Sequence, residues 1–310
     1  MRALCHARGT DGSGTGGRVE PNGNGVRAGP DRHGPAKMAF REGGRLALRR
    51  ASQGGPRRMS VAVPQKWLAD MERRHLAELS FPEVRKGLQA LSSLYVERRG
   101  RIGTGAAFDG AGKRAAFALF FGPLHFLVVR EIVDALGAAA SPLTRILDLG
   151  CGTGPAGAAW ALAAGGLPEV SGVERSGWAV QEARETFRAL GLRGRATAGE
   201  LLRERLPGSG AGIVLGWAVN ELADAAREEL RARLLDAAAR GARVLVVEPI
   251  AARPVPWWAD WAKAFVEAGG RDDLWRFPSS LPPVLALLDK ASGLDHRVLT
   301  ARSLWLPGAG

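Results

Sequence analysis

The sequence predicts an α/β protein in which a doubly wound, mostly parallel sheet follows an N-terminal helical segment. Three observations predict it. Short apolar runs alternate with helical patterns from residue 144 to residue 250, the rhythm of strand–helix–strand units. A glycine-rich turn follows the first of these runs, in Arg145-Ile146-Leu147-Asp148-Leu149-Gly150-Cys151-Gly152-Thr153-Gly154-Pro155-Ala156-Gly157. Upstream, residues 64–140 repeat apolar side chains at roughly helical spacing.

Residues 1–58 hold 13 Gly and 4 Pro with few apolar clusters. Such a segment buries too little apolar surface to offset its chain entropy and reads as a disordered tail. Two readings of it compete. It is a basic, glycine-rich arm that contacts RNA phosphates, or translation starts at Met59, where Met59-Ser60-Val61-Ala62-Val63-Pro64 opens directly into amphipathic helix. Met38 is a third possible start.

A helical segment is expected over 59–140. Trp67, Leu68, Met71, His75, Leu76 and Leu79 recur at helical spacing, Phe81-Pro82 interrupts them, and Val84, Leu88, Leu91, Leu94 and Tyr95 resume the pattern. Phe117 to Leu136 forms a long apolar helix, bent at Gly122-Pro123. His125 lies in this run and reads as a satisfied core residue. The longest apolar stretch, Ala115 to Val129, is broken by Gly122, Pro123 and His125 and falls short of a membrane span. With no secretion-type start, the expected location is the cytoplasm.

The sheet domain is expected over 141–310. Its first strand is Ile146 to Leu149, and Pro155 opens a helix that Gly165-Gly166 stops. Glu169 to Glu174 is the second strand, and Ser176 caps a helix that Gly191 ends. Arg195 to Ala198 is the third strand, with Gly199-Glu200 at its end. The fourth starts at Ala211 and leads into Gly216-Trp217-Ala218-Val219-Asn220-Glu221-Leu222; Asp224 caps the helix after it, and Gly241 terminates that helix. Ala242 to Glu248 is the fifth strand, almost continuous in branched residues, as a strand covered on both faces requires. Trp257 to Ala268 is a helix whose Trp257, Trp258 and Trp261 dock on the sheet, and His296 to Leu306 supplies the final strands.

The net charge of +12 is unevenly distributed. Residues 1–58 hold 12 Lys/Arg against 4 Asp/Glu, residues 59–130 hold 11 against 6, and residues 131–310 hold 20 against 21. The basicity therefore lies upstream of a neutral sheet domain. Within the helical segment, Glu97-Arg98-Arg99-Gly100-Arg101, Gly103-Thr104-Gly105 and Lys113-Arg114 read either as a solvated loop or as a phosphate-contacting patch beside an active-site mouth. The two cysteines, Cys5 and Cys151, exclude a disulfide framework or a thiolate metal cluster. No two of the five histidines have helical ligand spacing, so no zinc site is expected.

The glycine turn is where chemistry is expected. Gly152-x-Gly154-x-x-Gly157 formally satisfies the dinucleotide pattern, and a plain glycine-rich connection is the alternative without a ligand. Asp148, two residues before the first glycine, argues for a third ligand. A carboxylate there repels a pyrophosphate and attracts a cationic sulfonium bearing an amino group. The loop resembles motif I of class I S-adenosylmethionine-dependent methyltransferases, Asp-x-Gly-x-Gly-x-Gly. That resemblance implies a Rossmann-like sheet, S-adenosylmethionine as cofactor, and contacts from Asp148, Gly150, Cys151, Gly152, Thr153 and Gly154. Glu174 ends the second strand, where a carboxylate can accept hydrogen bonds from ribose hydroxyls. Glu200 is either the partner of an adenine amino group, as the resemblance implies, or an exposed loop acid. Trp217 lies where ligands bind in open α/β sheets and is a further expected cofactor contact.

Leu215-Gly216-Trp217-Ala218-Val219-Asn220-Glu221-Leu222, Val247-Glu248-Pro249 and the long helix before the loop resemble one family within that superfamily. It is the methyltransferase-like family of mitochondrial small-ribosomal-subunit assembly factors with its bacterial relatives, and the similarity covers roughly 60–310. The resemblance implies association with small-subunit ribosomal RNA, here through residues 59–130. One departure matters: where many members carry a cysteine cluster for an iron–sulfur centre, this chain reads Glu248-Pro249-Ile250 and Asp273-Leu274-Trp275-Arg276-Phe277-Pro278. Asn220 and Glu221 are the expected catalytic residues, Asn220 orienting an amine or amide acceptor and Glu221 acting as base; otherwise they cap the next helix and shape the site. Three functions follow: a methyltransferase acting on small-subunit ribosomal RNA, an assembly factor that binds the cofactor without transfer, and a small-molecule methyltransferase.

Overall fold

The computed structural model describes residues 61–97, 108–250 and 256–309. The expectations for residues 1–58 and for the arginine patch at 98–105 lie outside the described residues. Helix α1 (Gln65–His75) buries Trp67, Leu68 and Met71 of the first predicted stripe, whose Leu76 lies past the helix end and is exposed, and α2 (Phe81–Glu97) buries Val84, Leu88 and Leu91 of the second. Helix α3 (Ala111–Ala116) passes through a π-helical turn, Phe117–Phe121, into α4 (Gly122–Leu136). The sequence predicts a bend at Gly122-Pro123; the structure has a widened turn just before it. Pro123 has no N–H to give the carbonyl one turn back, and the wide turn accommodates the missing bond. The continuous helix Ala111–Leu136 spans 26 residues and is long and apolar enough to cross a membrane, contrary to the shorter run read from the sequence. Its most apolar window is 94% buried inside the protein, which makes it the central core helix.

In the sheet, strands and helices alternate except between β3 and β4, where only a short 3₁₀ turn, Leu201–Arg203, intervenes: β1 (Arg145–Leu149), α5 (Pro155–Ala163), β2 (Glu169–Glu174), α6 (Gly177–Ala189), β3 (Gly194–Ala198), β4 (Ala211–Gly216), α7 (Asp224–Ala239) and β5 (Arg243–Glu248). After it come α8 (Pro256–Glu267), β6 (Arg271–Pro278), α9 (Pro283–Ala291) and β7 (Val298–Leu306). The strand order is β3-β2-β1-β4-β5-β7-β6. The first five strands are parallel, and β7 runs antiparallel to both its neighbours. Side chains alternate between two cores. Ile146, Val214 and Leu245 pack with the N-terminal helices and α5, while Leu147, Ile213 and Val246 pack with α7 and α8. Buried residues of the helical segment and of the sheet belong to one core across residue 140.

Two expectations are corrected. Strand β6 is absent from the sequence reading: its residues alternate buried with charged and exposed ones at the sheet edge, so no apolar run marks it. Asp224 is the first helical residue rather than the cap; it pairs with Arg227, and Ala223 precedes the helix without a side-chain bond. Ser176 caps α6 as expected, accepting the Ala179 N–H at 3.4 Å. Trp257, Trp258 and Trp261 are buried, so α8 docks on the sheet. The helical segment is clasped to α6 by Arg74, which donates to both Glu182 carboxylate oxygens at 2.7 and 2.8 Å.

Candidate cofactor and active site

The order of strands reverses direction between β1 and β4, and at such a switch point the strand ends leave a crevice. A cavity of about 470 Å³ occupies it. Its near side is the loop after β1, where Gly150, Gly152 and Gly154 all have positive φ, at 68°, 52° and 82°. Gly150 and Cys151 both donate their N–H to the Val173 carbonyl, at 2.9 and 3.1 Å, which pins the loop to the end of β2. Gly150, Cys151, Gly152 and Thr153 line the cavity.

Two predicted contacts stand behind the loop instead of in the cavity. Gly154 is not a lining residue; a Cβ there would approach Phe187 Cε1 to 2.9 Å, so its role is to let the chain turn against α6. Asp148 is fully buried and does not line the cavity either. Its Oδ2 accepts the Gly157 N–H at 2.7 Å, an approach that a Cβ on residue 157 would obstruct at 2.9 Å, while Oδ1 has no hydrogen-bond partner among the described residues. Burial pushes its carboxyl up to about 7, with the Gly157 bond opposing and Glu174 reinforcing the rise. Asp148 thus braces the loop and the first turn of α5; the direct contact with a cationic ligand expected from sequence is not what the fold provides.

Glu174 does line the cavity. It accepts the Gly152 N–H at 3.2 Å and the Ser176 N–H at 2.9 Å, one on each oxygen. Each oxygen keeps a second lone pair for a hydroxyl. Glu200 also lines the cavity and is exposed at its edge. Burial raises the Cys151 thiol well above its ordinary range, as do Asp148 and Glu174, so this thiol is no nucleophile.

The far side follows β4. Trp217 is the one non-glycine residue with positive φ among the described residues, at 59°, and its N–H is held by the Val247 carbonyl at 2.8 Å. Its indole stacks on the His125 imidazole, centroids 3.7 Å apart and planes within 9°. The sequence reads His125 as a satisfied core residue. It is buried, but its ring lines the cavity and its Nε2 has no hydrogen-bond partner among the described residues. Burial pushes the imidazole down to about 3, so it is neutral. The sequence hides this role because the two partners lie 92 positions apart (125 and 217) and His125 sits in an otherwise apolar helix.

Asn220 and Glu221 lie on a short 3₁₀ turn, Val219–Glu221, and both line the cavity. Glu248, not predicted as a site residue, anchors that turn. Its Oε1 accepts the Val219 and Asn220 N–H groups at 2.9 and 3.2 Å, and its Oε2 accepts from Asn220 Nδ2. Asn220 Oδ1 accepts from Trp257 Nε1 at 3.1 Å. Glu248 is fully buried, and burial pushes its carboxyl up to about 7 against the Asn220 bond and Arg302. Glu221 keeps a third of its side chain open and faces Arg175 at 3.8 Å. Loss of water around it, and then Glu174, push its carboxyl up to about 7 against the pull of Arg175.

The fold implies S-adenosylmethionine, and the residues fit it. Glu174, Glu200, Glu221 and Glu248 line the cavity against a single Arg175, a lining that favours a cationic sulfonium and disfavours a pyrophosphate. Positive φ at Gly150 and Gly152 leaves backbone without side chains beside the Glu174 carboxylate. The volume also matches a nucleoside-sized ligand.

Residues 132–239 match the family model of the methyltransferase small domain. No curated protein matches the chain. Similar solved structures include the magnesium protoporphyrin IX methyltransferase of Synechocystis PCC 6803 with bound S-adenosylmethionine, 17% identical over 79% of this chain and 97% of that one, TM-score 0.40. A candidate RNA methyltransferase from Pyrococcus horikoshii is 15% identical, covering 60% of this chain and 83% of that one, TM-score 0.41. A TehB-like methyltransferase from Corynebacterium glutamicum is 19% identical, covering 58% and 86%, TM-score 0.38. With β7 reversed between β5 and β6 in an otherwise parallel seven-stranded sheet, the chain has a Rossmann-like doubly wound fold, and its residues 132–239, which span the switch point, are similar to the methyltransferase small domain.

Proposed function

We propose that this protein transfers a methyl group from S-adenosylmethionine to small-subunit ribosomal RNA, in ribosome assembly or translation. The observation that carries the transfer reading is the placement of Asn220 and Glu221 in the same cavity as Glu174 and the glycine loop. Bound S-adenosylmethionine supplies an electrophilic methyl on a cationic sulfur. The chain's part is alignment and proton handling. Glu174, steadied by two backbone N–H groups, binds hydroxyls. Asn220, gripped by Glu248 and Trp257, keeps one amide N–H to orient an acceptor. Glu221, with a carboxyl near 7, takes the acceptor's proton at neutral pH.

The RNA acceptor is supported by charge. The excess of Lys/Arg lies upstream of residue 131, and it reaches the cavity mouth: Arg114 on α3 donates through Nε to the carbonyl of Phe108, a lining residue, at 2.8 Å. A second reading, an assembly factor that binds cofactor and RNA without transfer, is favoured by the engagement of both ends of the Asn220 amide. Labelled methyl transfer to small-subunit ribosomal RNA from a deletion strain of the source organism tests the proposal. Label in that RNA, lost in Glu221→Gln, is expected. Cofactor binding and salt-sensitive co-sedimentation with small subunits, without label, would favour the second reading. Neither label nor co-sedimentation would refute both.

A further inference from the structure

We propose that His125 and Trp217 form the wall of a nucleobase-binding acceptor subsite, where the planar base packs beside the stacked pair and exchanges a hydrogen bond with His125 Nε2. The proposal rests on the RNA-acceptor reading and names how that acceptor is recognised.

Three observations point to it. The first is position. Glu174 ends β2 and Glu200 follows β3, whereas Trp217 follows β4, across the switch point from both. Trp217 therefore leaves the same strand end as Asn220 and Glu221, and all three line the cavity with His125.

The second is the backbone of Trp217. A φ of 59° is strained for any residue with a Cβ and costless for glycine. The indole held in that conformation lies with its ring parallel to the imidazole.

The third is polarity. His125 Nε2 and Trp217 Nε1 are both buried and have no partner among the described residues. The rings around His125 are Phe117, Phe121 and Trp217, none of which carries charge. An imidazole in such surroundings stays uncharged, so it can hold an uncharged base without repelling the sulfonium nearby.

The test uses the full chain with histidine labelled in nitrogen-15, assigning the His125 ring signals by their loss in His125→Phe. Each of the four nucleoside 5′-monophosphates is added with and without S-adenosylhomocysteine. The expected result is a shift of the His125 Nε2 signal with at least one monophosphate and none with S-adenosylhomocysteine alone. A signal unmoved by all four, or moved fully by S-adenosylhomocysteine alone, would overturn the subsite. Cofactor affinity is measured separately by calorimetry: His125→Phe is expected to retain it within about threefold, while His125→Phe and Trp217→Phe each weaken the responding monophosphate about tenfold or more, the loss of one buried hydrogen bond or stacking surface. Should His125→Phe fail to fold, Trp217→Phe carries the monophosphate comparison, and unchanged monophosphate affinity in it would overturn the subsite. Failure of the wild-type chain to bind S-adenosylhomocysteine would defeat the cofactor reading and leave the monophosphate result to decide the subsite on its own.

Discussion

Replacing Asp148 with asparagine separates bracing from charge at the heart of the cofactor loop. The side chain has no exposed surface, accepts one hydrogen bond from the Gly157 N–H and leaves Oδ1 without a hydrogen-bond partner among the described residues. Its carboxyl titrates near 7 in the folded protein against 3.8 ordinarily. The sign follows from proton binding. Between those two values the folded state holds the proton more tightly than the unfolded state, so raising the pH through this window costs stability, and the loss is complete above about 7. From pH 5 to pH 8.5 the wild-type chain crosses roughly two units of the window, worth about 3 kcal/mol at about 1.4 kcal/mol per unit. An asparagine side chain in this place would keep the bond to Gly157 through its amide oxygen and carry no charge to bury. Urea unfolding of Asp148→Asn and wild type at both pH values reads the difference directly. The variant should be within about 1 kcal/mol of wild type at pH 5 and more stable by up to about 3 kcal/mol at pH 8.5. A variant equally destabilised at both values would refute the buried, uncompensated carboxyl. Its S-adenosylmethionine affinity should stay within about fivefold of wild type, since Asp148 braces the loop and does not line the cavity.

Two further predictions follow from the same geometry. Methyl transfer by the wild-type chain should rise with pH through about 7, as Glu221 loses its proton, and Glu221→Gln should remove that limb and lower kcat by about a hundredfold or more; a pH–rate profile of both proteins checks it, and an unchanged limb in the variant would clear Glu221 of the role. Burial alone would raise the Glu182 carboxyl, but the bonds from His75 and Arg74 outweigh it and hold it at about 2. Stability from this clasp is present above the ordinary carboxylate range and is lost as pH falls towards 2. Arg74→Ala leaves the buried Glu182 with His75 as its remaining side-chain partner and should cost about 2 kcal/mol at pH 7, read by thermal or urea unfolding; a cost under about 0.5 kcal/mol would show that the clasp contributes no more than a surface pair.

The parts of this fold legible in the sequence were those governed by local rules. β2 begins and ends at Glu169 and Glu174 as read, Ser176 caps α6, and Gly165, Gly191 and Gly241 turn the chain with positive φ where helices are expected to stop. Strand β6 escaped because an edge strand with charged outward residues carries no apolar run. The candidate site divides similarly. Residues fixed by strand-end position, Gly150 to Thr153, Glu174, Glu200, Trp217, Asn220 and Glu221, all line the cavity. Whether Asp148 and Gly154 face the ligand or the protein depends on α5 and α6 packing behind the loop, which no local pattern encodes. Glu248 and His125 reach the site through contacts across 28 and 92 positions (248 to 220, and 217 to 125) and were invisible for the same reason.

The central claim is that an acid-lined, glycine-floored cavity selects a sulfonium cofactor over a dinucleotide. Isothermal calorimetry of the wild-type chain with S-adenosylmethionine, S-adenosylhomocysteine and NAD tests it most directly, with Glu174→Gln as the paired variant. The account predicts one-to-one binding of the first two at micromolar affinity, no measurable binding of NAD, and about a tenfold or greater loss in Glu174→Gln, the worth of one charge-assisted hydrogen bond. Binding of NAD with comparable affinity, or S-adenosylmethionine affinity indifferent to Glu174, would contradict it.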